Sequence, residues 1–503
     1  MLNEEQKKFI LENYKQHSSR HMARHLRVSR RDVSDFIGGI KKTPATFQAP
    51  SALTPFLVPV LVCLLLAVHL TLRFDTFWLS HYPGDQNQYV GLAMKLQEQG
   101  MKGYNLRAID ARPADEQREL ASLMLSQDEE GALMRGLKQS GAGYYDIPFF
   151  HKGPAFSIAI MLSHQVFARG KDYLMVIRHL GEDVRHAKPA KFFKAQFYAV
   201  IVPLFFSTGL MLLTFYLGKI LFSPRVGFYA AFMMAVNPIA ILTSCKLWAD
   251  DMLAFFVALS VVLFFLGQDR DKLWLSFLGG VSCGIAVLAK QNGGIIFCGL
   301  IAYSVLIKRS FKHLIPFGIG LTVASAPWFY KIYSIYGDPL YRPVSADVKN
   351  TDTTGWFAMI ASRPDPLILF AVGIPYLSPP FVLAYGTLKN FLLRLRLWNP
   401  RAGLNEEGGH ITLLWFWILS FILFFIFLMG GDEHRRMLPA YPAIAILAGY
   451  VLDRLRIKLG ALFENKIFCE SAVIVMLVIC AFWSVPMGVS TVMENGALIL
   501  KPF

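Results

Sequence analysis

Long apolar runs separated by short polar segments recur along most of the chain. Runs of about 16 to 24 residues are long enough to cross the hydrocarbon core of a bilayer as helices. Candidate spans lie near residues 54–72, 195–218, 226–243, 252–267, 273–289, 292–307, 314–330, 366–386, 411–429, 437–452 and 470–489. The pattern predicts an all-α polytopic membrane protein with about eleven transmembrane helices.

The run at 153–168, GPAFSIAIMLSHQVFA, is shorter and carries Ser, His and Gln. Whether it crosses the membrane decides the orientation of everything after it. If it does not cross and the N-terminus is cytoplasmic, the short inside loops hold 15 Lys/Arg, and the outside segments after residue 243 hold 9. Because cytoplasmic loops are enriched in Lys and Arg, we predict an interfacial helix here. The first loop, 73–194, is then a large outer loop with interfacial helices.

Composition supports a membrane protein rather than a nucleic-acid-binding one. Hydrophobic residues make up 54% of the chain and charged residues only 17%, below the roughly 25% of average soluble domains. Cytoplasmic loops explain most of the +15 net charge. The six cysteines form no CxxC pair, which indicates neither a disulfide framework nor a zinc site. The first apolar run begins only near Thr54, so we expect insertion by an uncleaved anchor at the cytoplasmic membrane.

A small basic domain is predicted before the membrane. Residues 1–42 hold ten Lys/Arg against five Asp/Glu, and residues 43–53 form a linker. The stretch SSRHMARHLRVSRRDVSDFI resembles a helix-turn-helix, in which Val33 and Ile37 would face inward. Arg27 stands at the turn, where glycine is usual.

Two functions of residues 1–42 stay open. DNA could be bound by Arg30 and Arg31 near the start of the recognition helix. A three-helix cap that binds protein or anionic lipid headgroups is favoured, because tethering to the membrane restricts access to DNA. His17, His21 and His25 recur every four residues, a spacing that suits a solvated helix face better than a metal site that no carboxylate or cysteine joins.

Ionisable and polar residues gather at the outer ends of the predicted spans. Such residues are rare near membrane helices and are usually functional. The group comprises Asp85, Asp146, His151, Lys152, Lys246, Asp250, Asp251, Lys290, Tyr336, Asp338, Tyr341, Arg342, Glu433, His434, Arg435 and Arg436. Carboxylates and cations on one face suit transfer of a sugar from a lipid phosphate: cations stabilise the leaving phosphate, and a carboxylate takes the proton of the attacking hydroxyl.

Five motifs occur in order along this face. They are an acidic residue in HYPGDQNQYV, the HKGP that begins at His151, KLWADD, PWFYKIYSIYGDPLY and RRMLPAYPAIAIL. Together they resemble the GT-C superfamily of membrane glycosyltransferases, similar to the lipid A aminoarabinose transferase and protein O-mannosyltransferase group. The resemblance covers about residues 54–456, and residues 457–503 add a loop, the last membrane helix and a tail.

The resemblance implies a role for each matched residue. Asp85 would be the catalytic carboxylate, and Asp250 or Asp251 the second acidic residue near the acceptor. Lys246, Arg435 and Arg436 would hold the donor phosphate of a polyprenyl-phosphate sugar. The acceptor could be a glycan, a lipid or a protein. No cofactor is assigned, and the single carboxylate at Asp85, which Gln86 follows, leaves dependence on a divalent metal open.

The remaining candidates line the same cavity in this interpretation. They are Lys290, His151, Lys152, Tyr341, Arg342 and His434. Structural alternatives remain: Asp85 could cap a helix, the Asp250–Asp251 pair could favour a helix N-terminus, and the arginines or Lys290 could anchor at headgroup level.

Two other functions compete with glycosyl transfer. A transporter or flippase of a lipid-linked glycan would place charges near the midplane and show paired broken helices, which the sequence does not indicate. A membrane-tethered regulator using residues 1–42 would leave the outer carboxylates unexplained.

Overall fold

The computed structural model describes most of the membrane part of the chain. The described residues are 54–77, 153–168, 189–336, 379–396, 406–424, 434–463 and 465–500, with isolated positions elsewhere. The chain divides into two compact units, Met1–Leu64 and Leu65–Phe503. In the first unit Val33 is fully buried, as predicted; Arg27, Arg30, Arg31, Ile37 and the three histidines lie outside the described residues.

Every regular element among the described residues is helical, as the apolar runs predict. The first seven α-helices are α1 (Thr54–Phe77), α2 (Pro154–Ala168), α3 (Pro189–Leu221), α4 (Pro224–Ala235), α5 (Pro238–Ser244), α6 (Asp250–Asp269) and α7 (Leu273–Ala289). The others are α8 (Ile295–Tyr303), α9 (Leu314–Tyr336), α10 (Pro380–Tyr385), α11 (Leu388–Arg396), α12 (Glu406–Phe424), α13 (Tyr441–Phe463) and α14 (Lys466–Leu500). Short 3-10 helices cover Gln291–Gly294 and His434–Ala440, and a π-helical turn covers Ser304–Lys308.

Among these described helices, five are long and apolar enough to span a membrane, or six if α4 and α5 form one bent span. The chain is therefore a multi-pass membrane protein; the predicted total of eleven spans involves segments outside the described residues. Helix α2 has 15 residues, which is short for a span. It packs on α3 and α7.

The predicted span 226–243 is not one straight helix. Helices α4 and α5 meet at a bend of 59°. Pro238 disfavours helical backbone at Asn237, and the Asn237 side chain caps α5 by accepting the Ala240 N–H at 2.8 Å. The Asn-Pro pair therefore ends one helix and begins the next, and it turns the chain toward the segment that carries Lys246.

Close packing of α6, α7 and α9 fixes the ends of the three helices. An added Cβ on Gly280 of α7 would lie 1.9 Å from the Phe317 carbonyl oxygen of α9, so only glycine permits this approach. The small residues Ser276, Gly280 and Gly284, four positions apart on α7, thus form a helix-packing surface. At the end of α6 opposite to Asp250, Lys312 Nζ binds Asp271 Oδ1 at 2.6 Å.

Candidate functional site

Four charged residues predicted from separate motifs meet at one end of the helix bundle. Lys246 lies between α5 and α6, Asp250 begins α6, Lys290 ends α7, and Arg435 belongs to the 3-10 helix before α13. Each of the four adjoins the end of an apolar helix, and these helix ends lie at the same end of the bundle. We call these four residues with Trp248 the cation cluster.

Asp250 is the anion of the cation cluster. Its Oδ1 accepts a hydrogen bond from Lys290 Nζ at 2.9 Å, and its Oδ2 lies 4.0 Å from Arg435 NH1. The Asp250 side chain is only 2% exposed, whereas Lys290 retains 26% exposure. Because Lys290 leaves α7 in an extended conformation, its side chain turns back to the start of α6. Asp250 is therefore a first-turn acid held between two cations.

Trp248 contacts Lys246 and also Arg435, which lies at Asp250 as well. Lys246 Nζ lies 4.7 Å from the centre of the indole ring, and Arg435 Cζ lies 3.9 Å from it. Burial, together with the Arg435 guanidinium, lowers the pKa of Lys246 to about 8. Lys246 is therefore still largely protonated at neutral pH. Three cations and one carboxylate leave this cluster with a net positive charge.

Asp251 faces a different partner from its neighbour. It is fully buried, and its carboxylate interacts electrostatically with the Arg73 guanidinium of α1. Successive helical residues point about 100° apart, so two adjacent carboxylates reach different surroundings. The two adjacent carboxylates thus have different surroundings: Asp250 belongs to the cation cluster, whereas Asp251 interacts with Arg73 at longer range, with no ion pair between these two residues within 4 Å.

Arg73 joins four segments and was not among the sequence-predicted residues. It is 1% exposed. Its Nε donates to Ser207 Oγ at 3.3 Å and its NH1 donates to the Ala235 carbonyl at 2.9 Å, at the end of α4. Its own carbonyl accepts from Cys245 Sγ at 3.5 Å. The sequence shows only that Arg73 ends an apolar run. An arginine at that position is equally typical of a helix end anchored at headgroup level, so its buried role could not be predicted.

A cluster of buried apolar side chains packs around the segment 247–252. Its members come from the first outer loop, from α2, α3 and α6, and from the end of α7. They are Tyr89, Ala93, Phe156, Ile160, Ala199, Val200, Val202, Phe206, Leu247, Ala249, Met252 and Ala289. The Tyr89 and Phe156 rings pack edge to face with centroids 4.9 Å apart. Tyr89, four residues after Asp85, therefore docks beside the residues that carry the site.

Gly153 of the HKGP motif lies directly on the end of α7. A Cβ at this position would fall 1.9 Å from the Leu288 carbonyl oxygen. Gly153 is thus in close contact with the α7 backbone, two residues before Lys290. A side chain would push α2 away from the cation cluster.

The other predicted site residues are described in part or not at all. Arg436 is half-buried beside Arg435, and His434 begins the same 3-10 helix. Asp85, Asp146, His151, Lys152, Asp338, Tyr341, Arg342 and Glu433 lie outside the described residues. In the segments that are described, no three His, Cys, Asp or Glu side chains form a group that could hold a metal ion.

Comparisons with known proteins agree with this arrangement. Residues 190–330, which include Lys246, Asp250, Asp251 and Lys290, match the family "Dolichyl-phosphate-mannose-protein mannosyltransferase". Over 210 residues the chain is 25% identical to an uncharacterized protein of Aquifex aeolicus. That alignment covers 41% of this chain and only 38% of the length of the relative.

Two solved structures have similar folds across most of the chain. ArnT from Cupriavidus metallidurans, bound to undecaprenyl phosphate, has a TM-score of 0.50 at 14% identity, covering 87% of this chain and 75% of ArnT. The Archaeoglobus fulgidus oligosaccharyltransferase in its apo form has a TM-score of 0.50 at 12% identity, covering 88% of this chain and 57% of that enzyme. The resemblance predicted from the motifs is therefore confirmed, and the chain shares the fold of these two structures.

Proposed function

We propose that this protein is a membrane glycosyltransferase that moves a sugar from a polyprenyl-phosphate-linked donor to an acceptor hydroxyl. The observation that carries the proposal is the cation cluster at the ends of membrane helices, in which Lys290 and Arg435 lie at Asp250 and Lys246 and Arg435 lie at Trp248. A buried group of cations with an excess over its carboxylates is suited to an anion, and a lipid phosphate is the anion available at this level.

Charge balance favours a phosphate monoester over a neutral ligand. Three cations and one carboxylate give the cluster a net charge of +2 when Lys246 is protonated. A phosphate monoester carries about −1.5 to −2 charges at pH 7. The cluster therefore neutralises polyprenyl phosphate after the sugar has left, which makes the phosphate a better leaving group.

The transfer step assigns separate tasks to Asp85 and to the cations. The acceptor oxygen attacks the anomeric carbon from the face opposite to the phosphate, which gives inversion. As the new C–O bond forms, the Asp85 carboxylate takes the proton of the hydroxyl, and the bond from the anomeric carbon to the phosphate oxygen breaks. Its electron pair leaves with polyprenyl phosphate, which Lys246, Lys290 and Arg435 hold.

The packing of Tyr89 supports Asp85 as the base. Tyr89 belongs to the same apolar cluster as Leu247 and Ala249, which flank Trp248. Four residues separate Tyr89 from Asp85, a reach of at most about 14 Å along an extended chain. Asp250, in contrast, already accepts from Lys290, so we assign it to orienting the cations. Asp251 is fully buried and interacts electrostatically with Arg73, and we assign it a structural role.

The remaining predicted residues complete the cavity in this proposal. His434, Arg436, Tyr341 and Arg342 would lie on the donor side. Gly153 on the end of α7 supports His151 and Lys152 as lining residues, since they directly precede it. The positive-inside rule places the cavity at the outer face of the cytoplasmic membrane with a cytoplasmic N-terminus.

Native mass spectrometry of the purified protein with undecaprenyl phosphate tests the proposal. The parent should bind one lipid, the Arg435→Ala/Arg436→Ala variant should bind it poorly, and Asp85→Asn should bind normally. Arg270→Ala is the matched control, because Arg270 is an exposed arginine at the opposite end of α6.

The second stage of the test is transfer itself. With polyprenyl-phosphate sugars as donors, Asp85→Asn should lose turnover while it retains the lipid. Failure of the parent to bind any polyprenyl phosphate would contradict the proposed donor, and full activity of Asp85→Asn would contradict the proposed base.

A further inference from the structure

The indole of Trp248 is in contact with two cations at once. Lys246 Nζ is 4.7 Å and Arg435 Cζ is 3.9 Å from the ring centre, both within the range of a cation–π interaction. Trp248 is only 8% exposed, so these contacts lie largely out of water, where such interactions are strongest. The two residues are 189 positions apart in the chain, and the ring is the surface that they share.

Cations flank the Trp248 ring, whereas its neighbours in the sequence pack on apolar side chains. Leu247 and Ala249 both belong to the apolar cluster at the site. The chain therefore places a large buried aromatic ring in contact with two cations.

Lys246 and Arg435 repel each other. The Arg435 guanidinium and the Cys245 thiol both act electrostatically on Lys246; burial, and after it the guanidinium, lowers the pKa of the Lys246 ammonium. The Asp250 carboxylate is shared between Lys290 at 2.9 Å and Arg435 at 4.0 Å. The electron-rich faces of the Trp248 ring add a negative potential that acts on Lys246 and on Arg435.

We infer that Trp248 is the positioning residue of the phosphate site, whose ring holds the Lys246 ammonium and the Arg435 guanidinium side by side for one phosphate group. The inference rests on the proposed function and deepens it. Trp248 does not touch the reacting atoms; it acts through the two cations. Loss of the ring should weaken phosphate binding and make Lys246 lose its proton at a lower pH, because its charge is then less compensated.

The test measures the affinity of the full-length protein in detergent for farnesyl phosphate by calorimetry between pH 6.5 and 9.5. We expect the affinity of the parent to fall as the pH rises through about 8, the pKa of Lys246. Trp248→Leu should bind about tenfold more weakly at pH 7, the equivalent of one buried cation–π contact. The pH at which affinity has fallen halfway should be lower for Trp248→Leu than for the parent. For Trp248→Phe this midpoint pH should lie between those of the other two proteins.

Two controls separate electrostatics from packing. Trp274→Leu removes an exposed tryptophan of α7, and it should leave both affinity and midpoint unchanged. In a Lys246→Met background, Trp248→Leu should cost less affinity than it does in the parent, since one of the cations that it supports is absent.

Three results are decisive. The inference would be overturned if both Trp248 variants kept the midpoint pH of the parent and if Trp248→Leu cost the same affinity in the Lys246→Met background as in the parent. The ring would then act through packing alone. If Trp248→Leu does not fold, the midpoint of Trp248→Phe decides alone. No binding by the parent would instead remove the proposed donor site, and the inference with it.

Discussion

Lys290 Nζ lies 2.9 Å from Asp250 Oδ1 and so joins the end of α7 to the start of α6. The contact is more than a surface ion pair, because Asp250 is 2% exposed. Its burial means that the carboxylate depends on the cations around it for its charge. The same contact brings one cation of the cluster to a fixed place beside Arg435.

Lys290→Met should therefore destabilise the fold as well as weaken phosphate binding. Removal of the Lys290 ammonium leaves the buried Asp250 carboxylate with Arg435, 4.0 Å away, as its remaining cation among the described residues. We expect the free energy of unfolding to fall by about 1–3 kcal/mol. Thermal unfolding in detergent, followed by circular dichroism, measures the change. Lys272→Met, at the exposed other end of α7, is the matched control and should have little effect. A second substitution, Asp250→Asn, should restore part of the lost stability; no restoration would contradict the coupling.

The pH dependence of phosphate binding should reveal Lys246. Its pKa is lowered to about 8, mainly by burial. Below this pH the ammonium is present and attracts the phosphate; above it the amine is neutral and the attraction is lost, so affinity should decrease as the pH rises through 8. Lys246→Arg should bind without this decrease, because arginine stays protonated throughout the range. A parent midpoint that survives in Lys246→Arg would assign the titration to another group.

Gly153→Ala tests how closely the HKGP motif must approach α7. The new methyl group would lie 1.9 Å from the backbone oxygen of Leu288, a contact that no side-chain rotation relieves. We expect a loss of about 1–3 kcal/mol, with weaker lipid binding as α2 moves. Gly460→Ala, where nothing lies within 4 Å of the added Cβ, is the control. Equal unfolding temperatures for both variants and the parent would show that α2 adjusts without cost.

The sequence predicted which residues meet but not how they pair. Lys246, Asp250, Lys290 and Arg435 each adjoin an apolar run, so counting spans was enough to place them on one face. The pairing of Asp250 with Lys290, and the interaction of Asp251 with Arg73, depend on the rotation of α6 about its axis, which an almost uniformly apolar helix does not encode. The role of Trp248 likewise depends on Arg435 from a distant segment.

Helix boundaries lie at residues with clear helix-start or helix-stop chemistry where the sequence contains such residues. The bend in the predicted span 226–243 lies at the Asn237-Pro238 pair, a helix-start signal that the hydropathy pattern alone does not include. The segment after the predicted span 437–452 carried no such signal: α13 continues to Phe463, and α14 covers 35 residues from Lys466. Polar residues such as Arg454 and Arg456 extend helices past the apolar core because they are good helix formers.

Arg73 and Asp251 are two buried ionisable groups that should both contribute to the stability of this end of the bundle. Arg73→Met removes the hydrogen bonds to Ser207 and Ala235 as well as the electrostatic interaction with Asp251, and Asp251→Asn leaves the guanidinium without that interaction; each should cost about 1–3 kcal/mol. The double variant Arg73→Met/Asp251→Asn should be markedly more stable than the sum of the two losses predicts, because no buried charge remains unpaired. Thermal unfolding of the parent, the two single variants and the double variant gives the coupling free energy between Arg73 and Asp251. The control is the same cycle with Arg270→Met and Asp269→Asn, two residues that are exposed at the other end of α6, and it should show no coupling. Since Arg73 also donates to the Ala235 carbonyl, part of its loss should persist in the double variant. Strict additivity would instead show that Arg73 stabilises only the ends of α1 and α4, and that Asp251 is free for another task.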